Sequence, residues 1–337
     1  MRRQSAILAV MGLSLFVSAC GVVTSHTSSV PPSAVSFSCR LPIGSAGGDF
    51  GGFVSFPQAT FERGSNGSLT YDAAHRRWLP VGHQMISPDG QSYVYAQDTK
   101  VPAGATIHVV DVASGQDRLV WTEQSAASVL GWTKRGIAIL RANARPNETS
   151  FVGPQLWVLS PSGQTMQFVA GQPVANSGFP LFKAWTELSA GGVWSKSITT
   201  SSTDILLRID PQDGHVTPWY GARERVYLTV LGMDSGGHPL LEVTTPQASK
   251  PQVILVPAPN TALAVDGAGP VPPQPTFPSS VSDEHGTWLA AADGGIWLYD
   301  PKTGIQRVAQ LPLPPKPSPV SDFGMPGITP VVAGPCL

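Results

Sequence analysis

Charge is scarce in this chain: Asp, Glu, Lys and Arg make up 13% of its 337 residues, with 21 basic and 22 acidic side chains. A nucleic-acid binder needs a concentrated basic surface, and none is visible, which excludes nucleic acid as a partner. Apolar runs are scarce as well. From Ala34 onward none approaches the twenty or so residues that span a bilayer as a helix. Cysteine is limited to Cys20, Cys39 and Cys336. There is no Gly-rich phosphate loop ending in Lys-Ser/Thr, no His-Glu-x-x-His and no EF-hand ladder of aspartates. The Gly-x-Ser-x-Gly nucleophile elbow is missing too. These absences leave no catalytic set, no metal site and no cofactor to assign. Glycine (35) and proline (33), by contrast, are abundant. Many turn formers and few helix-favouring charges point to an all-β architecture.

The first forty residues carry an address. Arg2 and Arg3 precede an almost wholly apolar stretch from Ser5 to Val17, and Val17-Ser18-Ala19-Cys20 follows. A charged start, a short apolar stretch and a small-residue exit read as a secretory signal, too short for a stable membrane span. Because it ends on cysteine, the segment resembles the bacterial lipobox. That resemblance implies a diacylglyceryl group on Cys20 and cleavage just before it. The expected organisation is a signal peptide over 1–19, a lipidated tether over 20–38 and a folded domain over 39–337. The tether is Ser, Thr, Val and Pro without periodicity, and eighteen such residues span roughly 25 Å. The acyl chains anchor the protein at about 0.8 kcal/mol per buried methylene. The expected location is the extracytoplasmic face of the cell membrane. Without Arg2 and Arg3 the chain has 19 basic and 22 acidic residues, a net charge of −3.

Cys39 opens the folded region and Cys336 is the penultimate residue. In an oxidising compartment two such cysteines are expected to pair. Pairing requires the two ends of the domain to be neighbours, which a closed ring of repeats supplies.

A repeat is present. An apolar run ending near Asp or Ser, followed by a Pro/Gly turn, recurs at Leu69–Asp72, Ile107–Asp111, Leu156–Ser160, Ile205–Asp210, Val253–Pro257 and Ile296–Asp300. The mean interval from Asp72 to Asp300 is 45.6 residues over five steps. Interleaved with these runs are glycine-bearing turns, each leading into a second strand, at Ser87–Gly90, Lys134–Gly136, Ala190–Gly192, Ser235–Gly237 and Glu284–Gly286. Two hairpins per repeat make four strands, the content of one β-propeller blade. The spacing predicts six four-stranded blades, or seven if Ser321–Cys336 contributes more than one strand. Two β-sandwiches would not explain one period running the whole length.

Ser87-Pro88-Asp89-Gly90, the tyrosine-rich strand after it and "IHVVDVASG" from Ile107 to Gly115 resemble one repeat of the TolB-type propellers. The likeness covers this one repeat, with Asp89 expected to cap a turn. It implies a ring whose last blade is closed by strands from both chain ends, with Cys39 and Cys336 stapling that closure.

Histidines are scattered, and the densest titratable cluster is Asp283-Glu284-His285. It reads as an ordinary polar turn, as do Asp210–Gly214 and Asp300–Gly304. Binding on a rigid scaffold usually lives in its longer loops. The connections between second and third strands and between blades share one face of a propeller. That places Arg141, Arg145, Glu148, Lys196, Arg223, Glu224 and Arg225 on the expected binding face. The leading expectation is a monomeric, non-enzymatic module, anchored to the membrane by its lipid, that binds an envelope protein, peptide or glycan. The alternatives are an envelope hydrolase or lyase with its site at the central channel, and a structural part of an envelope assembly.

Overall fold

The computed structural model describes residues 32–337 apart from 46–47, 49, 65–66, 100–103, 125, 144–151, 172–184, 190, 199–203, 222–224, 248–249, 268–279 and 314–328. Cys20, the signal peptide and most of the tether therefore lie outside the described residues. The described chain is β-structure with one 3-10 turn at His83–Met85, and none of its helical segments is long and apolar enough to cross a membrane.

Seven antiparallel sheets follow one another as blades. Blade 1 joins β1 (Cys39–Ser45), β2 (Gly52–Phe56) and β3 (Thr60–Arg63) to the last strand, β25 (Pro330–Val332). Blade 2 is only a hairpin of β4 (Thr70–Asp72) and β5 (Arg77–Leu79). Blade 3 holds β6 (Ser92–Thr99), β7 (Gly104–Asp111) and β8 (Asp117–Glu123), with an isolated Ile86–Tyr93 bridge at its inner edge. Blade 4 holds β9 (Ala127–Thr133), β10 (Gly136–Asn143), β11 (Val152–Leu159) and β12 (Met166–Ala170). Blade 5 holds β13 (Trp185–Ser189), β14 (Gly192–Ile198), β15 (Asp204–Ile209) and β16 (Val216–Tyr220). Blade 6 holds β17 (Tyr227–Met233), β18 (Pro239–Thr244), β19 (Gln252–Ala258) and β20 (Thr261–Ala264). Blade 7 holds β21 (Ser280–Asp283), β22 (Gly286–Ala290), β23 (Gly295–Asp300) and β24 (Gly304–Gln310).

The apolar runs of the repeat become β4, β7, β11, β15, β19 and β23. Their continuous hydrophobicity has a direct cause in packing. On β15, Ile205, Leu207 and Ile209 pack toward blade 4, while Leu206 points the other way into the cluster shared with blade 6. A strand covered on both faces has no polar side to show. Similar clusters fill the spaces between blades 3 and 4, blades 6 and 7, and blades 7 and 1. The five predicted turns are built on left-handed glycines, among them Gly90 (φ 71°), Gly191 (φ 73°) and Gly237 (φ 74°).

The periodicity counts six blades and seven sheets are present. The additional one is blade 1, whose strands carry no copy of the repeat. The expected route to a seventh blade ran through Ser321–Cys336, but that segment supplies one described strand, β25, and β1 to β3 supply the rest. The four-strand rule also lapses early in the ring, where β4 and β5 stand alone as blade 2.

Both chain ends close the ring in blade 1. β25 pairs with β1 through Ile43–Val332, Gly44–Val331 and Ser45–Pro330. Cys39 and Cys336 form a disulfide across 297 residues, with their Cα atoms 5.5 Å apart. Asp283 reinforces it from blade 7: one carboxylate oxygen accepts from the Cys336 amide at 2.8 Å and the Trp288 indole at 2.7 Å. His285 stacks on Phe37 with ring centroids 4.0 Å apart, so the Asp283–His285 cluster is part of the closure. Ala333, just past β25, takes amide donation from Tyr71 at 2.7 Å and lies 3.1 Å from the His83 imidazole. The residue as a whole is exposed, but desolvation of its imidazole outweighs the Ala333 carbonyl and sets the His83 pKa below its ordinary value.

Two outcomes follow from this closure. Replacing Cys39 or Cys336 by Ser should lower stability markedly, up to about 5 kcal/mol in the chain-entropy picture. Calorimetry with and without reductant checks this, and an unchanged Tm would mean that the strand pairing alone holds the ring. Because desolvation depresses the His83 pKa, the unfolded chain takes up that proton at higher pH than the folded one. Its contribution is intact above about pH 6.5 and is lost as pH falls through the ordinary histidine range toward the folded value. His83→Gln should therefore flatten the Tm–pH profile between pH 7 and 5, and an identical slope in the variant would contradict this role.

Candidate functional site

Of the residues expected on the binding face, Arg141, Lys196 and Arg225 are described. Arg141, on β10, pairs with Glu123 at the end of β8, with Nε 2.8 Å from the carboxylate, and its guanidinium lies 4.7 Å over the Trp157 ring. Glu123 is buried, so the pair ties blade 3 to blade 4. Lys196, on β14, donates to the Leu228 carbonyl at 3.0 Å and lies 3.4 Å from Asp204. Asp204 in turn accepts from the Leu228 amide at 2.8 Å, which ties blade 5 to blade 6. Arg225 is exposed between β16 and β17. Arg145, Glu148, Arg223 and Glu224 lie outside the described residues. The two described cations on strands are thus bound to their neighbours across blade interfaces.

Two grooves open where the β9–β10, β11–β12 and β15–β16 turns meet, on the ring face opposite the expected one. The first, about 510 Å³, lies between Ser87–Asp89, Arg118 and the Thr133–Gly136 turn. The second, about 460 Å³, runs from Thr133 and Lys134 to Arg208 and Asp210–Gln212. Thr133 and Lys134 form the lip common to both.

Most polar groups in these walls are already engaged. Asp89 caps its turn as expected, accepting from the Ser87 hydroxyl at 2.6 Å and the Gln91 amide at 3.0 Å. Those bonds, led by the one from Ser87, hold its carboxyl below the usual carboxylate range. Asp210 accepts from the Gln212 amide at 2.7 Å. Arg118 donates to the Pro161 carbonyl at 3.3 Å, and Arg135 reaches the Pro211 and Gln212 carbonyls and the Gln167 side chain. Arg208 lies 5.8 Å over the Trp219 ring. Lys134 is exposed and, among the described residues, has no ion-pair partner. The uncommitted charge of the grooves is therefore positive. Along the sequence, Lys134-Arg135-Gly136 reads only as a hairpin turn. No linear signal shows that turns from three blades converge around it.

A second polar constellation lies on blade 3. Tyr95 and His108 are cross-strand partners with rings stacked at 4.9 Å. The His108 Nδ1 is 2.9 Å from Asp117, and its Nε2 is 3.1 Å from the Thr106 hydroxyl. Tyr95 donates to the other Asp117 oxygen at 2.7 Å. That bond holds the Asp117 carboxyl below its ordinary range and pushes the Tyr95 phenol up to about 12. A carboxylate–imidazole–hydroxyl chain is the arrangement in which histidine acts as a general base. The Thr106 hydroxyl also lies 3.3 Å from the Gln97 carbonyl, which competes for its proton. Among the described residues no three His, Cys, Asp or Glu side chains gather as a metal site.

No protein-family model matches the chain, and no curated protein matches it. Among solved structures it is similar to TolB from Acinetobacter baumannii, at 10% identity over 90% of this chain and 68% of that one, with a TM-score of 0.42. It is also similar to the β-propeller domain of the Trilobed protease from Pyrococcus furiosus, at 10% identity over 78% of each chain, with a TM-score of 0.46. An acylaminoacyl peptidase in complex with a chloromethyl ketone matches at 12% identity and a TM-score of 0.43, over 67% of this chain. This chain spans only 38% of that peptidase's length. Likeness at this level carries no argument about activity; the order of the seven sheets and the closure of the first by both chain ends make this chain a β-propeller.

Proposed function

We propose that this chain is an exported lipoprotein, held by its lipidated Cys20 at the extracytoplasmic face of the cell membrane, whose propeller binds an envelope protein, peptide or glycan. The binding face is the groove pair around Lys134. The observation that carries this reading is the shared Thr133–Lys134 lip: two neighbouring grooves meet at one exposed ammonium whose surrounding carboxylates are spent on their own turns. A ligand that presents a carboxylate or a row of carbonyl oxygens complements that lip. The walls are hairpin turns on packed blades, so the site is held in shape before the ligand arrives, which limits the entropy lost on binding.

An envelope hydrolase is the second reading, supported by the Thr106–His108–Asp117 chain. In that reading His108 takes the proton of the Thr106 hydroxyl, or of a water in its place, and Asp117 steadies the imidazolium. The constellation lies on a blade face and not at the central channel.

Crosslinking in native membranes followed by co-purification separates the two. Lys134→Glu should weaken capture about tenfold or more, which corresponds to at least 1.4 kcal/mol, while Lys302→Glu on the blade 7 turn leaves it unchanged. Equal recovery from both variants would remove the grooves from the binding face. Arg141→Ala should instead lower stability by about 3 kcal/mol, because it strips a buried carboxylate of a partner, and spare capture. If Lys134→Glu leaves capture unchanged and His108→Ala abolishes ester or amide hydrolysis by the purified protein, the hydrolase reading replaces the binding one. Cys20→Ala should move the protein from the membrane to the soluble fraction, and retention in membranes would refute the lipid anchor.

A further inference from the structure

Blade 2 is incomplete. Its two three-residue strands sit between blade 1, which has four strands, and blade 3, which has three. Residues 80–91, all described, form the His83–Met85 turn and the approach to β6, so they add no third strand to it. β5 pairs with β4 alone, and the main chain of Arg77–Leu79 has no other backbone partner among the described residues. Among the described residues, a short strand edge thus stays unpaired between two larger sheets.

The walls of that space are two cross-strand ladders. On blade 1, Pro42, Phe53 and Glu62 lie side by side across β1, β2 and β3. The inner rungs clamp blade 2, with Phe53 5.0 Å from Tyr71 and 6.0 Å from Trp78 between ring centroids. Arg40 lies 4.6 Å over the Phe53 ring and pairs with Glu62 at 3.0 Å. On blade 3, Tyr95, His108 and Leu119 form the matching ladder across β6, β7 and β8. Tyr95 packs on the small cluster with Leu79 and Val81 of the blade 2 region. The outer rungs are uncovered: Leu119 is 54% exposed, and the Arg40 and Glu62 side chains are 55% and 63% exposed.

At the other interfaces this position is filled by the third and fourth strands of a blade. An unpaired main-chain edge flanked by a bare apolar rung on one side and an ion pair on the other therefore selects a particular occupant. We infer that the gap is a strand-addition site, where an extended peptide segment of another protein pairs with β5 and completes blade 2. Side chains of a strand alternate between faces. Residues facing blade 3 meet the exposed Leu119 and the stacked Tyr95 and His108 rings and are favoured when apolar, whereas those facing blade 1 meet Arg40 and Glu62 and are favoured when polar. The ligand class is an extended segment that alternates apolar and polar residues, recognised by its main chain and by one apolar face. This site is separate from the groove pair, so neither inference depends on the other.

The test uses the full-length chain in detergent and a capped, fluorescent hexapeptide alternating Val and Thr, with a solubilising poly(ethylene glycol) tail. Anisotropy should report saturable binding, and hydrogen exchange at the Arg77–Leu79 amides should slow when the peptide is bound. A version N-methylated at alternate backbone amides should bind at least tenfold more weakly, since it keeps the side chains and loses the pairing. Leu119→Lys should weaken binding at least tenfold, while Leu263→Lys on the exposed outer strand of blade 6 leaves it unchanged. No binding, equal binding of the N-methylated peptide, or protection that spares β5 would each overturn the inference. A concentration-dependent dimer that Leu119→Lys dissolves would overturn it in favour of a second copy of this chain. Protection of β5 without peptide, lost when residues 21–31 are deleted, would overturn it in favour of the chain's own tether.

Discussion

The closing contact of blade 1 is the constraint on which the ring depends. Interfaces between consecutive blades form between segments near in sequence, but β25 meets β1 only after the whole chain has been laid down. Bringing ends that far apart together costs loop-closure entropy before any contact is gained. The disulfide removes part of that cost, and the Asp283 carboxylate, bonded to the Cys336 amide and the Trp288 indole, sets the terminal segment against blade 7. Leu41, Ile43, Trp288 and Val332 then share one apolar cluster between blades 7 and 1. Without the closure that cluster would face water on one side.

Polar side chains serve the same end elsewhere. In a chain with so little charge, Glu123 with Arg141 and Asp204 with Lys196 are spent between neighbouring blades. Each couples an acid that is itself buried to a cation on the adjoining strand or sheet, and such a pair becomes costly if one member is removed. Among the described residues, Arg141 and Lys196 are thereby committed to structural ion pairs. The groove face keeps Lys134 uncommitted because its acids, Asp89 and Asp210, bond to backbone amides of their own turns.

Blade 2 breaks the regularity of the ring. The cluster between it and blade 3 contains three buried residues, whereas each of the other clusters contains nine or more. Its contact with blade 1 is mainly aromatic, through Phe53, Tyr71 and Trp78. Gly44 of β1 passes so near the incoming chain that an added Cβ would lie 1.6 Å from the Ser68 carbonyl. Few buried apolar contacts place this hairpin at the low end of local stability in the molecule. A propeller assembled from near-equal blades thus has, among the described residues, one position where the neighbouring faces are less covered.

Local chemistry alone determined much of the architecture. Glycine turns at a steady spacing and apolar runs such as Ile205–Ile209 and Ile296–Leu298 specify strands buried on both faces, since period and burial are properties of short segments. The pairing of Cys39 with Cys336 was legible for the same reason, there being no other cysteine in the folded region. The blade count was legible only in part, because β1 to β3 lack the repeated pattern and join the ring through β25. Tertiary structure alone decided where charge is free. Lys134 and Arg141 look alike along the chain, yet the packing of adjacent blades sets a buried Glu123 beside Arg141 and leaves Lys134 in solvent. The grooves, the Tyr95–His108–Asp117 constellation and the open edge of β5 were likewise decided by register and by which blades lie side by side. Those are relations between distant segments, and sequence spacing does not encode them.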